Sequence, residues 1–149
     1  MKKLISLLLT MCFLHLGYTS QTNSMNGTLW LLEGTKIGKD WNGKIGFILY
    51  FSEDYYVVIQ QSSVGEFLNP EYKVKYLVEH QKNCLLIKSQ LYPQEPDFEV
   101  FFEKKLLIDK GLHKSKPMYY IRTSKDECNK LLKDFQLNDI DFAKLPTRN

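Results

Sequence analysis

No stretch of this sequence is apolar for long enough to cross a membrane as a helix. The longest greasy run, Leu4 to Leu16, spans about 13 residues, against the ~20 that a bilayer core requires. Neither sign of charge dominates, with 20 Lys and Arg against 17 Asp and Glu, so the concentrated basic face of a nucleic-acid binder is missing. Histidine and cysteine are scarce, at three each. His15 lies in the N-terminal run, while His80 and His113 fall in polar connections. His80 with Cys84 supplies at most two ligands near zinc spacing, so no metal site is expected. No Ser or Cys sits in a strand-to-helix elbow or beside a base that the sequence identifies, which leaves no catalytic residue and no cofactor to name. Gly38 to Lys44 matches G-x-x-x-x-G-K, but Ile45 stands where Ser or Thr should hold Mg²⁺ and begins a strand instead of a helix.

What is present begins at the N-terminus. Lys2 and Lys3 precede the apolar run, and Gly17, Thr19, Ser20 and Gln21 follow it. A basic start, a short apolar segment and a small or polar exit make a secretory signal peptide. Cutting after Thr19 places Gly17 at the small-residue position ahead of the cut, whereas cutting after Ser20 would place bulky Tyr18 there. Cys12 as a lipid-bearing mature N-terminus is opposed by Met11, too large for that position. The expected organisation is a leader over 1–19, a short flexible lead over 20–26, one domain over 27–145 and a frayed tail over 146–149. The product is then exported, either secreted or periplasmic. Asn26-Gly27-Thr28 is a glycosylation sequon, relevant only in a eukaryotic secretory pathway.

Loss of the leader removes Lys2 and Lys3 and no acid, so the net charge falls from +3 to +1. About 129 residues remain, enough for one hydrophobic core and too few for two. Cys84 and Cys128 are the cysteines left behind, and an oxidising compartment favours their pairing. Closing a loop of about 45 residues would stabilise the fold by a few kcal/mol, mainly by restricting the unfolded chain. The alternative is two small buried hydrophobes that never meet.

Strand signals fill the domain. Tyr72, Val74, Tyr76 and Val78 alternate with Lys73, Lys75 and Leu77, the period of a strand with one buried face. Further runs are Thr28–Glu33, Ile45–Phe51, Tyr55–Gln61, Leu85–Leu91, Phe98–Glu103, Leu106–Ile108 and Met118–Arg122, separated by short polar or turn-forming segments. Seven or eight strands in a meander must close into a barrel or stack as two sheets, and the fold class expected is a mainly β antiparallel barrel of about eight strands. One helix follows, capped by Ser124 with Glu127 completing a capping box and Cys128, Leu131, Leu132 and Phe135 on one face. Ile140, Phe142 and Leu145 can anchor a segment beyond it.

Gly27-Thr28-Leu29-Trp30 opening the first strand, Arg122 ending the last, and a helix from Ser124 together resemble a lipocalin-type or calycin-like exported β-barrel. The resemblance implies that Trp30 packs at the closed end of the barrel with the Arg122 guanidinium against its indole face. It also implies a disulfide tying the C-terminal segment to the barrel, a role open to Cys84 and Cys128. The family pattern has one residue between Gly and Trp, whereas two separate Gly27 from Trp30 here.

Nine Phe and nine Tyr supply the binding surface. In a closed barrel Phe47, Leu49, Phe51, Tyr72, Tyr76, Phe98 and Phe102 point inward, an apolar lining for a small hydrophobic or amphipathic ligand. Trp41, in the loop after the first strand, borders the mouth in such a barrel. Asp97, Glu99 and Glu103 share parity with Phe101 and are expected on a wet outer face. Two functions stay open. One is a non-catalytic carrier of a small apolar ligand. The other is a secreted interaction or inhibitor module with a filled core, anchored on a protein partner by Trp41 with Tyr55 or Tyr56.

Overall fold

The computed structural model describes residues 25–36, 42–110, 116–134 and 141–148. The leader, Trp41, His113 and Ile140 lie outside the described residues. Eight strands follow one another: β1 (Thr28–Leu32), β2 (Phe47–Phe51), β3 (Tyr55–Gln60), β4 (Val74–His80), β5 (Leu85–Ser89), β6 (Phe98–Phe101), β7 (Leu106–Asp109) and β8 (Met118–Arg122). Each pairs antiparallel with its successor, and β8 returns to β1 through Trp30↔Arg122, Leu31↔Ile121 and Leu32↔Tyr120, so the sheet is a closed meander barrel. Closure leaves no sheet edge open to another strand.

Alternation decides which way each strand faces. In β4, Val74 and Tyr76 are buried while Lys75 and Leu77 are exposed, and in β6 Phe98 and Val100 are buried between half-exposed neighbours. The inward set, Trp30, Leu49, Phe51, Tyr56, Val74, Tyr76, Ile87, Phe98, Val100, Leu107 and Tyr120 among it, forms one interior cluster. All seven aromatic and aliphatic residues expected to point inward belong to that cluster or pack against it. A one-residue slip in any register would turn this set to solvent, which is why the alternation specifies the pairing so firmly.

β1, β2 and β3 are buried on both faces. Leu29, Ile48, Val57 and Ile59 form a second cluster on the outer face, with Leu131, Phe142 and Leu145 packed against it. Leu131 comes from helix α1 (Lys125–Asp134), which the capping box starts as expected. The Ser124 N–H and hydroxyl both donate to Glu127 Oε2 at 2.9 Å, and the Glu127 N–H donates back to Ser124 Oγ at 3.2 Å. Phe142 opens and Leu145 follows a short 3-10 helix, Phe142–Lys144, capped by the Asp141 carboxylate accepting from the Ala143 N–H. Phe142 stacks on Tyr50 at 5.2 Å between centroids. Fully burying a Leu or Ile side chain stabilises by about 1.5–3 kcal/mol, so this outer cluster is a second core in miniature.

Two expectations fail. Cys84 is a free thiol, its Sγ 3.8 Å from Gln81 Oε1, and no disulfide joins it to Cys128. Topology is the reason: Cys84 lies in the turn before β5, four strands from β1 in either direction around the barrel, whereas α1 docks beside β1. The tail does not fray at residues 146–148. Thr147 pairs in parallel with Lys73, with the Lys73 N–H donating to Pro146 O at 3.0 Å and the Arg148 N–H donating to Lys73 O at 2.9 Å. β3 and β4 share only two register pairs, Tyr55↔Lys75 and Tyr56↔Val74, where every other neighbouring pair shares three to five. The backbone just ahead of β4 therefore has bonds to spare, and the chain terminus takes them.

Candidate functional site

The barrel has two unlike ends. At one, Trp30 is fully buried and Phe102 meets it edge-on at 6.1 Å, with Met25 in the same cluster. Its indole N–H donates to Thr28 Oγ1 at 3.0 Å, and that hydroxyl donates to Met25 O at 2.7 Å. Arg122 is the register partner of Trp30, but its guanidinium lies over the Phe102 ring at 5.2 Å. The expected stack on the indole is thus taken by the phenyl ring, because Phe102 in the turn after β6 reaches beneath the end of β8. This end is closed.

The other end holds a cavity of about 560 Å³, within the range of small-ligand sites. Phe47, Leu49, Val58, Val74, Leu91, Phe98 and Met118 supply its apolar wall, and Tyr56, Ser89, Asp97, Asp109, Tyr120 and Arg148 its polar groups. Register explains the grouping. Phe98 opposes Asp109, and Asp109 opposes Met118, so the upper ends of β6, β7 and β8 converge there. Leu107 and Asp109 share the inward face of β7, as Met118 and Tyr120 share that of β8.

Asp97 is held from two sides. The Tyr56 hydroxyl donates to its Oδ2 at 3.1 Å, and Ser89 bonds it as well. Burial pushes its carboxyl up from the ordinary carboxylate range, while the Tyr56 and Ser89 hydrogen bonds pull it back. Burial raises the Tyr56 phenol too, and the Asp97 charge raises it further. Tyr120 is raised by burial first and then by the nearby Asp109 charge. Arg148 closes one side of the cavity: its guanidinium lies 5.0 Å over the Tyr72 ring, and Nη1 donates to Tyr72 Oη at 3.0 Å.

The rim is tied by Gln61, which is fully buried. Its Oε1 accepts from the Gly46 N–H at 2.8 Å, and its Nε2 donates to Lys36 O at 2.8 Å and Gly65 O at 3.2 Å. One amide side chain thereby joins the loops after β1 and after β3. Gly46 has to be glycine for this, since a Cβ there would sit 2.4 Å from Gln61 Oε1 and 2.6 Å from Thr35 Cγ2.

Of the residues expected to touch a ligand, Phe47, Leu49 and Phe98 line the cavity. Phe51 and Tyr76 fill the core beside it in an aromatic cluster with Tyr56 and Phe98, and the Tyr76 hydroxyl donates to Ser52 O at 2.6 Å. Tyr72 serves Arg148, and Phe102 belongs to the closed end. Asp97 is not on the wet outer face, because it precedes β6 in the connection that folds over the mouth, whereas Glu99 is outside and ion-paired with Lys110. Tyr56 is buried, which removes it as a surface anchor. Asp109, Met118, Tyr120 and Arg148 are lining residues that the sequence reading passed over. The first three carried a usable signal in strand parity; Arg148 carried none.

The fold and cavity define a class, that of closed eight-stranded antiparallel meander barrels with one sealed end and one open end. No family model, no curated protein and no solved structure matches this chain.

Proposed function

We propose that this protein is a non-catalytic carrier, a lipocalin-like barrel that holds a small amphipathic ligand in its open end and is exported after losing residues 1–19. The observation that carries the reading is the cavity itself, about 560 Å³ with an apolar floor and a polar rim. A filled core would have had no such space between Leu49, Val58 and Phe98. Apolar lining supplies affinity, and a few hydroxyl and carboxyl groups orient the ligand. Among the described residues the cavity lining contains no imidazole.

A second reading rests on a different surface. Tyr119 and Ile121 on the outer face of β8 are both more than a third exposed, and an exported interaction module would use them as anchors. Gentle purification, organic extraction and mass spectrometry separate the two. A stoichiometric small molecule in the extract is the result expected of a carrier. A clean extract, together with no saturable uptake of apolar probes, rejects it. N-terminal sequencing of the natural product tests the leader, with Ser20 expected as the first residue.

A further inference from the structure

Resting on the carrier reading, we propose that the ligand is an amphipathic acid whose oxyanion head group, a carboxylate or a phosphate, passes the mouth of the barrel and lodges in a second recess between Lys75 and Arg148. This recess, of about 390 Å³, is walled by Lys75, Gln90, Leu91, Thr147 and Arg148. Leu91 and Arg148 also line the main cavity, so the two spaces adjoin across those side chains. The segment after the 3-10 helix builds one wall. Thr147 pairs in parallel with Lys73, and the Arg148 N–H donates to Lys73 O at 2.9 Å, so the chain runs along the start of β4 in the direction of Lys75. Gln90, just past β5, builds the opposite wall by donating its N–H to Lys75 O at 3.0 Å. Lys75 itself points outward, between the inward Val74 and Tyr76.

The lining of the recess selects the sign of the head group. Among the described residues it holds two cations and no acid. Neither cation is ion-paired there, since the salt bridges among the described residues are Lys88–Glu79, Lys110–Glu99 and Lys144–Asp141. Arg148 gives its face and Nη1 to Tyr72, a phenol that brings no carboxylate to it. A guanidinium has five N–H donors and an ammonium three, so donors remain on both for an oxyanion. Charge-assisted bonds of this kind are roughly twice as strong as neutral ones. The Gln90 amide and the Thr147 hydroxyl add neutral donors on the same wall. The acids of the main cavity are committed elsewhere: Asp97 accepts from Tyr56 and Ser89, and Glu95 and Asp109 have partners of their own. Phe47, Leu49, Val58 and Phe98 receive the apolar tail. Lys75 and Arg148 are both exposed, so the head group docks at the surface, where salt screens the attraction.

The test compares four ligands of equal chain length, dodecanoate, dodecyl phosphate, dodecanol and dodecylamine, titrated calorimetrically into the mature protein at neutral pH below their aggregation thresholds. At least one acid is expected to bind about tenfold more tightly than dodecanol and dodecylamine, and the tighter acid names the head group. That preference should shrink as salt is raised. Arg148→Gln should reduce it about tenfold and Lys75→Gln about threefold, with dodecanol affinity unchanged in Lys75→Gln. Circular dichroism melts establish that each variant is folded. Arg148→Gln also gives up the contact with Tyr72, so Lys75→Gln, at an exposed position, carries the test should Arg148→Gln unfold. Dodecanol or dodecylamine binding as tightly as both acids, or an unchanged preference in a folded variant, overturns the oxyanion assignment while the carrier reading stands. Failure of all four chains to bind defeats the carrier reading, and the oxyanion assignment falls with it.

Discussion

The closed end of the barrel is complete in itself, whereas the open end is not. Around Trp30 every polar step ends in a partner: indole to Thr28 hydroxyl, hydroxyl to Met25 carbonyl, guanidinium to Phe102 face. Around Tyr120 the phenol and the carboxylates of Asp97 and Asp109 line a space that apolar side chains leave open. Both ends are built from the same alternating strands. What differs is whether side chains fill the space between the strands. Substitutions at the two ends should therefore separate stability from binding.

The largest effect is expected at the closed end. Trp30→Ala deletes the biggest fully buried side chain and leaves a void under Phe102, a loss of about 3–5 kcal/mol in chemical denaturation. A loss below about 1 kcal/mol would mean that this end is not the anchor of the fold. The rim comes next. Gln61→Ala strands the Gly46 N–H and the carbonyls of Lys36 and Gly65, for a cost of about 1–3 kcal/mol. Because the loops after β1 and β3 then lose their common tie, ligand affinity should fall along with stability. At the closed end only stability should move. If Gln61→Ala leaves both unchanged by calorimetry, the rim is held by other contacts.

These contrasts also show where strand parity can be trusted. Alternation in Tyr72–Val78 and in Phe98–Phe102 was enough to orient the interior correctly, since period two leaves no choice of face once one side is apolar. The Ser124 and Glu127 box located the helix start because its chemistry is local. Parity fails at strand ends. Asp97 precedes β6 by one residue and sits in a connection whose path is set by tertiary bonds, such as its own N–H donating to Ile87 O at 2.8 Å, so its placement by extrapolation of the strand was wrong. The Cys84 and Cys128 pairing failed for a related reason: a count of cysteines carries no distance, and the barrel puts the turn before β5 across from β1. Nothing local announces that Arg148 will reach Tyr72, 76 residues away; that contact exists only because β4 lacks a partner ahead of Val74.

Asp97 offers a smaller and pH-dependent comparison. Its pKa is raised in the folded protein, chiefly by burial, so the folded state holds the proton more tightly than the unfolded chain does. Stability from this group is then fully present below the ordinary carboxylate range and is lost as pH rises through the raised value. Asn at this position can still accept from Tyr56 and Ser89 but carries no charge to desolvate. Asp97→Asn should therefore melt slightly higher than the natural protein at neutral pH, with the advantage fading in acid as Asp97 takes up its proton. Glu95, Asp109 and Arg148 face the same space.

The smallest stability change is the one that sharpens the contrast most. Tyr120→Phe removes a single oxygen that makes no hydrogen bond with any described residue, so its deletion should shift the free energy of unfolding by no more than about 0.5 kcal/mol in either direction. Thr28→Val, at the closed end, also removes one hydroxyl, but that one links two partners, and its loss should cost about 1–3 kcal/mol by stranding the Trp30 N–H. Parallel urea titrations of the two variants measure the difference directly. Equal costs would mean that the Tyr120 hydroxyl is held by a partner as firmly as that of Thr28. Unequal costs, with Tyr120→Phe near zero, are the result expected of a hydroxyl that opens onto the cavity.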